Sequence, residues 1–254
     1  MDDKEKSEMG FKMFMITHFL LWTHPKNSHL IASRFKTCER NLGGEPLWKW
    51  TERIAALKVK KIVWDHSLED ANTEVFATSL DGTDFRAWER KHPVSPRDNG
   101  ECSKKFNHGA AKHEIALSLF RAKCAHIAGP CRGGMHDLEV FRKGGLKEKL
   151  KRNQERLKRQ QNKPKRTIVD RGYRTSRADE EGMFSYPDNM DSKELGNFKS
   201  RGRLRQETFN GRLKFFCCLS DTFRHGFDKH KFVFEAIVVI VQCQMDNGSE
   251  IYAV

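Results

Sequence analysis

Four short segments rich in β-branched and aromatic residues, TEVFATSL (73–80), HEIALSLF (113–120), CAHIAG (124–129) and RTIVD (166–170), constrain this chain more than any other feature. The last two are separated by MHDLEVFRKGGLKEKLKRNQERLKRQ (135–160), which reads as one or more helices, with His136–Asp137 at its start. Strands alternating with helices call for an α/β domain. Further on, RLRQETFNGRLKFF (203–216) reads as helix, whereas KFVFEAIVVIVQCQM (231–245) has a β-branched run that fits either a helix or a strand. Residues 171–200 are polar, contain Gly and Pro, and read as a loop; internal repeats are not apparent.

The N-terminal part differs. Residues 1–10 read as a disordered, charged start, and 11–62 as a small helical region. FKMFMITHFLLW is apolar almost all round and stops at Pro25; SHLIASRF follows with Ser28 as N-cap. In EPLWKWTERIAALKVKK, Pro46 suits a first helical turn, and Trp50, Ile54 and Leu57 fall on one face. Three short helices with a basic end fit a helix-turn-helix or a plain bundle.

Net charge is +13 over 254 residues, and it is concentrated: Arg142 to Arg166 holds twelve Lys/Arg against two Glu. A balance of this kind points to a polyanionic partner, nucleic acid first. The apolar runs at 13–22 and 232–241 are shorter than the ~20 residues a bilayer span needs. Seven cysteines, an odd number without a CxxC pair or a visible signal peptide, imply a reducing intracellular compartment.

Phosphoryl transfer on nucleic acid commonly uses two divalent ions held by about three converging carboxylates. Three acids have a fitting local context: Asp81 ending the first β segment, Asp170 ending RTIVD, and Glu207 early in the late helix. In that helix Phe209, Leu213 and Phe216 share one face, while Glu207 lies beside Asn210, Gly211 and Lys214, with Gly211 leaving room. Each acid also has a plain structural reading. In SLDGTDF (79–85) the Asp-Gly pair is a strong hairpin signal, Asp170 precedes Gly172 as a turn would, and Glu207 fits a solvated helix face. Cys124, His126, Cys131 and His136 offer a less familiar zinc spacing, in which an extended 124–129 puts Cys124 and His126 on one face.

Taken in order, SLDGTDF, GPCRGGMHDLEVFR (129–142), TIVDRGYR (167–174) and RLRQETFNGRLKFFCCLSDTFRHG (203–226) resemble the DDE superfamily of transposase-derived endonucleases, the PIF/Harbinger-type group in particular. The resemblance covers about 72–248 and implies an RNase H-like fold, a mixed sheet flanked by helices, behind a helix-turn-helix-like region. It maps the catalytic and metal-binding triad onto Asp81, Asp170 and Glu207, holding two Mg²⁺ or Mn²⁺ ions. Asp137 matches another recurring position, read as an N-cap near the site and the main rival for a place in the triad; Asp84 is assigned to the strand continuation or, like Asp137, to a supporting place behind the metal ligands.

The implied activity is divalent-metal-dependent cleavage and strand transfer on DNA, at transposon ends or target sites, in the nucleus. A separate DNA-binding partner protein and homo-oligomer formation are also implied; a membrane is not. Lys147, Lys149, Lys151, Arg152, Arg156, Lys158 and Arg159 in the basic insert at 147–166, and Arg203, Arg205, Arg212 and Lys214 in the late helix, are the candidate DNA contacts. The insert is longer and more basic than the family pattern, and Gln206 stands where relatives often have His. The alternative is a domesticated DNA-binding protein of the same fold without catalysis.

Overall fold

The computed structural model describes residues 45–64, 68, 75–88 and 102–251. The disordered start and the first two helices expected for a helix-turn-helix lie outside the described residues. The third expected helix is present as α1 (Glu45–Ala56), followed by the single turn α2 (Lys58–Lys61). Its buried face is not the expected one. Thr51, Ile54 and Ala55 are buried and Trp48 packs beside them, while Leu57 is exposed and Trp50 only half-buried. The partner sets the face: α1 lies along the C-terminal helix α8 (Phe227–Asp246), where Lys58 pairs with Glu235 and Lys61 Nζ meets Asp246 Oδ2 at 2.7 Å.

The sheet contains β1 (Phe76–Arg86), β3 (His108–Ser118), β4 (Cys124–Arg132), β5 (Arg166–Ile168) and β6 (Phe184–Ser185), in the order β4-β3-β1-β5-β6. A two-residue β2 (Cys102–Ser103) pairs with the start of β3. β3 is antiparallel to β1 and β4, whereas β5 is parallel to β1 and β6 to β5, so β3 alone of those five runs against the rest. The chain is therefore α/β with a mixed six-stranded sheet flanked by helices.

Period-two alternation assigns each strand residue to a face. On one side Phe85, Ile115 and Leu117 pack with Phe209, Leu213 and Phe216 from α6 (Lys193–Lys214) and just beyond it, and with Val233, Phe234 and Ile237 of α8. On the other, Leu80, Ala116 and Val169 meet Phe141 of α3 (Asp137–Lys143) and Leu146 and Leu150 of α4 (Leu146–Arg159). The ambiguous run at 231–245 is helical: its β-branched side chains lie buried between the sheet and α1. Helix α6 starts at Lys193, capped by Ser192, whose Oγ accepts from the Leu195 N–H. The stretch 171–200 is thus not one loop. It holds a 3₁₀ turn (Arg171–Tyr173), the single-turn α5 (Ala178–Glu181), β6 and the first turns of α6; a further single turn, α7 (Cys217–Ser220), follows α6.

The basic insert is an amphipathic helix. Leu146, Leu150, Asn153 and Leu157 of α4 are buried, and Lys151, Arg152, Lys158 and Arg159 are exposed. Two of its candidate DNA contacts are engaged elsewhere. Lys147 Nζ lies 2.7 Å from Glu180 Oε1, a fully buried carboxylate that Arg142 also grips through two nitrogens at 2.8 and 2.7 Å. Lys149 Nζ is 3.1 Å from His126 Nδ1.

Arg205 is not a surface contact either. It is 1% exposed and donates to the carbonyls of Ser118 (3.0 Å), Ile251 (3.1 Å) and Arg121. Its guanidinium ties α6 to the β3–β4 connection and to the C-terminal segment. Arg205→Ala strands these acceptors in a dry environment and is expected to lower unfolding free energy by about 3 kcal/mol, whereas Leu204→Ala, at a half-exposed neighbour, costs under about 1 kcal/mol. Urea unfolding of both variants checks this.

Candidate active site

The parallel register of β1 and β5 sets the site. Thr78 pairs with Thr167 and Ser79 with Ile168, and the two threonine hydroxyls lie 3.0 Å apart. β5 stops at Ile168 while β1 runs on to Arg86. Asp170 therefore leaves the sheet edge alongside Asp81. Asp81 lies in mid-strand, not at a strand end, and SLDGTDF is not a turn: Asp81 faces Ile115 and Gly82 faces Glu114 across β3. The glycine answers a steric demand. A Cβ at Gly82 would stand 2.6 Å from Asp137 Oδ1.

Asp170 caps the 3₁₀ turn, its Oδ1 accepting from the Gly172 N–H at 2.7 Å. A Cβ at Gly172 would fall 2.9 Å from both Asp170 Oδ1 and Asp137 Oδ2. The Asp137 carboxylate is thus lodged between two glycine backbones. Asp137 is the first residue of α3 and His136 occupies the N-cap position without a side-chain cap bond, so the capping role expected for Asp137 is not made. Lys112 of β3 holds it instead, Nζ to Oδ1 at 2.8 Å.

Helix α6 supplies the other side. Asp81, Asp170, Glu207, Asn210, Gly211 and Lys214 line one cavity of about 400 Å³, together with Arg203 and Lys105. Glu207 is exposed at its wall, and a Cβ on Gly211 would meet nothing within 4 Å, the open space expected there. The helix is fixed in rotation by Gln206, which accepts from Ser79 Oγ at 3.1 Å and donates to the Ile115 carbonyl at 2.9 Å. One turn on, Asn210 Nδ2 donates to Asp81 Oδ2 at 2.9 Å, and among the described residues its buried Oδ1 meets no donor.

Burial, with the negative charges of Asp170 and Asp137, pushes the Asp81 carboxyl up from 3.8 to about 6. Behind it, Glu114 of β3 is fully buried and held well above the usual carboxylate range by burial and by Asp137, with the Tyr173 hydroxyl 3.5 Å away. Asp84 points to Ser103 and lies 3.8 Å from Lys112, away from the cavity lining. Among the described residues, no group of three or more His, Cys, Asp or Glu side chains is gathered closely enough to hold a metal ion.

The zinc quartet is not assembled. A register shift between Ala116 and Leu117 inserts Ala125, so Cys124 enters the core under α8 while His126 reaches Lys149 of α4. The shared face expected from strict alternation is lost at this bulge.

Lys105, Lys112 and Glu114 were not anticipated as site neighbours. The legible signal for two of them was the charged triplet Lys112-His113-Glu114 inside an otherwise apolar strand. No family model, curated protein or solved structure matches this chain. No described helix is long and apolar enough to cross a membrane.

Because the folded protein holds the Asp81 proton more tightly than the unfolded chain does, stability falls as pH rises from about 4 through 6. Asp81→Asn keeps an acceptor for Asn210 and removes the charge. Without divalent cations it is expected to stabilise the protein by about 2 kcal/mol near pH 7.5, the gain vanishing near pH 4. Urea unfolding across that range reads this directly.

Proposed function

We propose that this chain is a transposase-derived, divalent-metal-dependent DNA endonuclease and strand-transfer enzyme of RNase H-like fold, with Asp81, Asp170 and Glu207 as its metal-binding triad. The observation that carries the reading is the convergence on one cavity of Asp81 from the middle of β1, Asp170 from the end of the adjacent parallel strand and Glu207 from α6. The strand order β4-β3-β1-β5-β6 with β3 reversed, helices covering both faces, supports the RNase H-like assignment.

The donor set suits a hard divalent cation. All three groups are carboxylates, the chemistry Mg²⁺ and Mn²⁺ select. The Asp81 carboxyl, raised by burial and then by the charges of Asp170 and Asp137, is a cost that cation charge relieves, and Asn210 Oδ1, which meets no donor among the described residues, lies beside it. Two such ions, when bound, supply the Lewis acidity for displacement at phosphorus. Glu207 is exposed on the wall of the same cavity, so its side-chain torsions are free to turn. Asn210 holds Asp81 in its rotamer through the 2.9 Å bond. Arg203 at the cavity, with the exposed Lys151, Arg152, Lys158 and Arg159 of α4 on the other face of the sheet, contacts the DNA backbone at transposon ends or target sites. The compartment is the nucleus, with a DNA-binding partner protein or a second copy of the chain completing recognition.

The test is divalent-dependent nicking of supercoiled DNA by wild type and by Asp81→Asn, Asp170→Asn and Glu207→Gln. Each variant is expected to lose at least about 10²-fold in rate while duplex binding persists. Activity surviving all three changes refutes the triad. Loss in Asp137→Asn with retention in Glu207→Gln moves the third ligand to Asp137. Binding without cleavage by wild type identifies the domesticated DNA-binding protein instead.

A further inference from the structure

We propose that Lys105 and Lys214 form a two-element clamp for a phosphate oxyanion inside this cavity, and, resting on the function proposed above, that the phosphate is one of the DNA backbone at the cleaved bond. Both lysines line the cavity that Asp81 and Asp170 line, yet they come from distant parts of the chain, the β2–β3 turn and the end of α6. Among the described residues neither makes an ion pair within 4 Å. An ammonium offers donors and no acceptor, so two of them converging on open space match the non-bridging oxygens of a phosphate.

Lys214 is oriented through its side chain and Lys105 is carried on a fixed backbone. The Lys214 ammonium stands 5.7 Å over the ring of buried Phe85, a contact that orients it without using its N–H groups. Lys105 rides on a tight turn. The Asn107 N–H donates to the Ser103 carbonyl at 2.8 Å, the Lys105 N–H lies 3.2 Å from Ser103 Oγ, and Asn107 takes a left-handed φ of +50°, which Asn tolerates. Ser103 Oγ in turn donates to Asp84. Asp84 thus anchors the turn that carries Lys105.

The electrostatics agree. Lys214 is held below the usual lysine value by burial first and then by the charge of Lys105, against the opposing pull of Asp81 and Asp84. Two like charges sharing a partly dry wall repel, and a phosphate oxyanion removes that repulsion. The same pair would offset the negative charge of the acids for an incoming anionic backbone.

The experiment reads binding, not turnover. Affinity of the full chain for a duplex of about 20 base pairs is measured by fluorescence anisotropy in EDTA over a range of salt. Lys105→Gln/Lys214→Gln is expected to weaken binding on the order of tenfold at low salt and to reduce the slope of log K against log salt by about 2. Lys105→Arg/Lys214→Arg is expected to restore the slope, and Lys231→Gln, an exposed change on α8, to leave it unchanged.

In parallel, amine acylation read by mass spectrometry is expected to show both lysines protected by the duplex. An unchanged slope in a Gln variant with native melting overturns the nucleic-acid clamp. Protection by inorganic phosphate with no protection by the duplex assigns the site to a free phosphate and overturns the DNA source. Absence of nicking by wild type bears only on the triad, because anisotropy and acylation need no cleavage.

Discussion

Helix α6 is set on the sheet by two adjacent buried polar residues, Arg205 and Gln206, and the geometry of the cavity follows from them. An apolar stripe alone lets a helix slide and rotate over a sheet at little cost, since dispersion and burial are not directional. Hydrogen bonds are directional. Gln206 spans Ser79 on β1 and Ile115 on β3, and Arg205 reaches the β3–β4 connection and Ile251. With the rotation fixed, helical periodicity sends Phe209 and Leu213 into the core and places Glu207, Asn210, Gly211 and Lys214 at the cavity. Gln206, which lines the cavity, is therefore also the helix's attachment point.

The second constraint is the shortness of β5. Because its ladder with β1 ends at Ile168, among the described residues no strand pairs with β1 beyond Ser79 on that side until the Phe223 segment bonds Arg86, and three aspartates gather in the interval. Burial of Asp81, and after it this crowding, work against folding, raising its carboxyl. Lys112 offsets part of it by pairing with Asp137. The remainder is borne by the two apolar layers, α6 and α8 on one face and α3 and α4 on the other.

Much of this was legible in the sequence, because periodicity and residue type report local structure directly. The four β segments, the helices between β4 and β5 and the Phe209–Leu213–Phe216 face all follow from residue type and spacing. Four features were not legible, and in the first three a contact distant in sequence overrides the local signal. Asp-Gly at 81–82 signals a turn, but the glycine is there to admit Asp137 from α3. Arg205 counts as basic surface until Ile251 and Ser118 claim its guanidinium. Trp50 and Leu57 form a reasonable stripe, but α8 takes the face bearing Thr51, Ile54 and Ala55. Cys124 and His126 part company because a bulge, invisible in composition, shifts the register of β4.

The competition between Asp137 and Glu207 for the third place in the proposed ligand set comes down to charge and freedom. Asp137 is the nearer to Asp81 in electrostatic effect, raising its carboxyl pKa together with Asp170. Yet its carboxylate is wedged between Gly82 and Gly172 and already neutralised by Lys112 at 2.8 Å, so joining a metal would break a half-buried ion pair. Glu207 is exposed, has three side-chain torsions to turn and stands on the cavity wall beside the open space at Gly211. A group that completes a cation site on demand must be able to move and must carry an uncommitted charge. On both grounds Glu207 is the ligand we propose, with Asp137 a fixed carboxylate, paired to Lys112, beside Asp81.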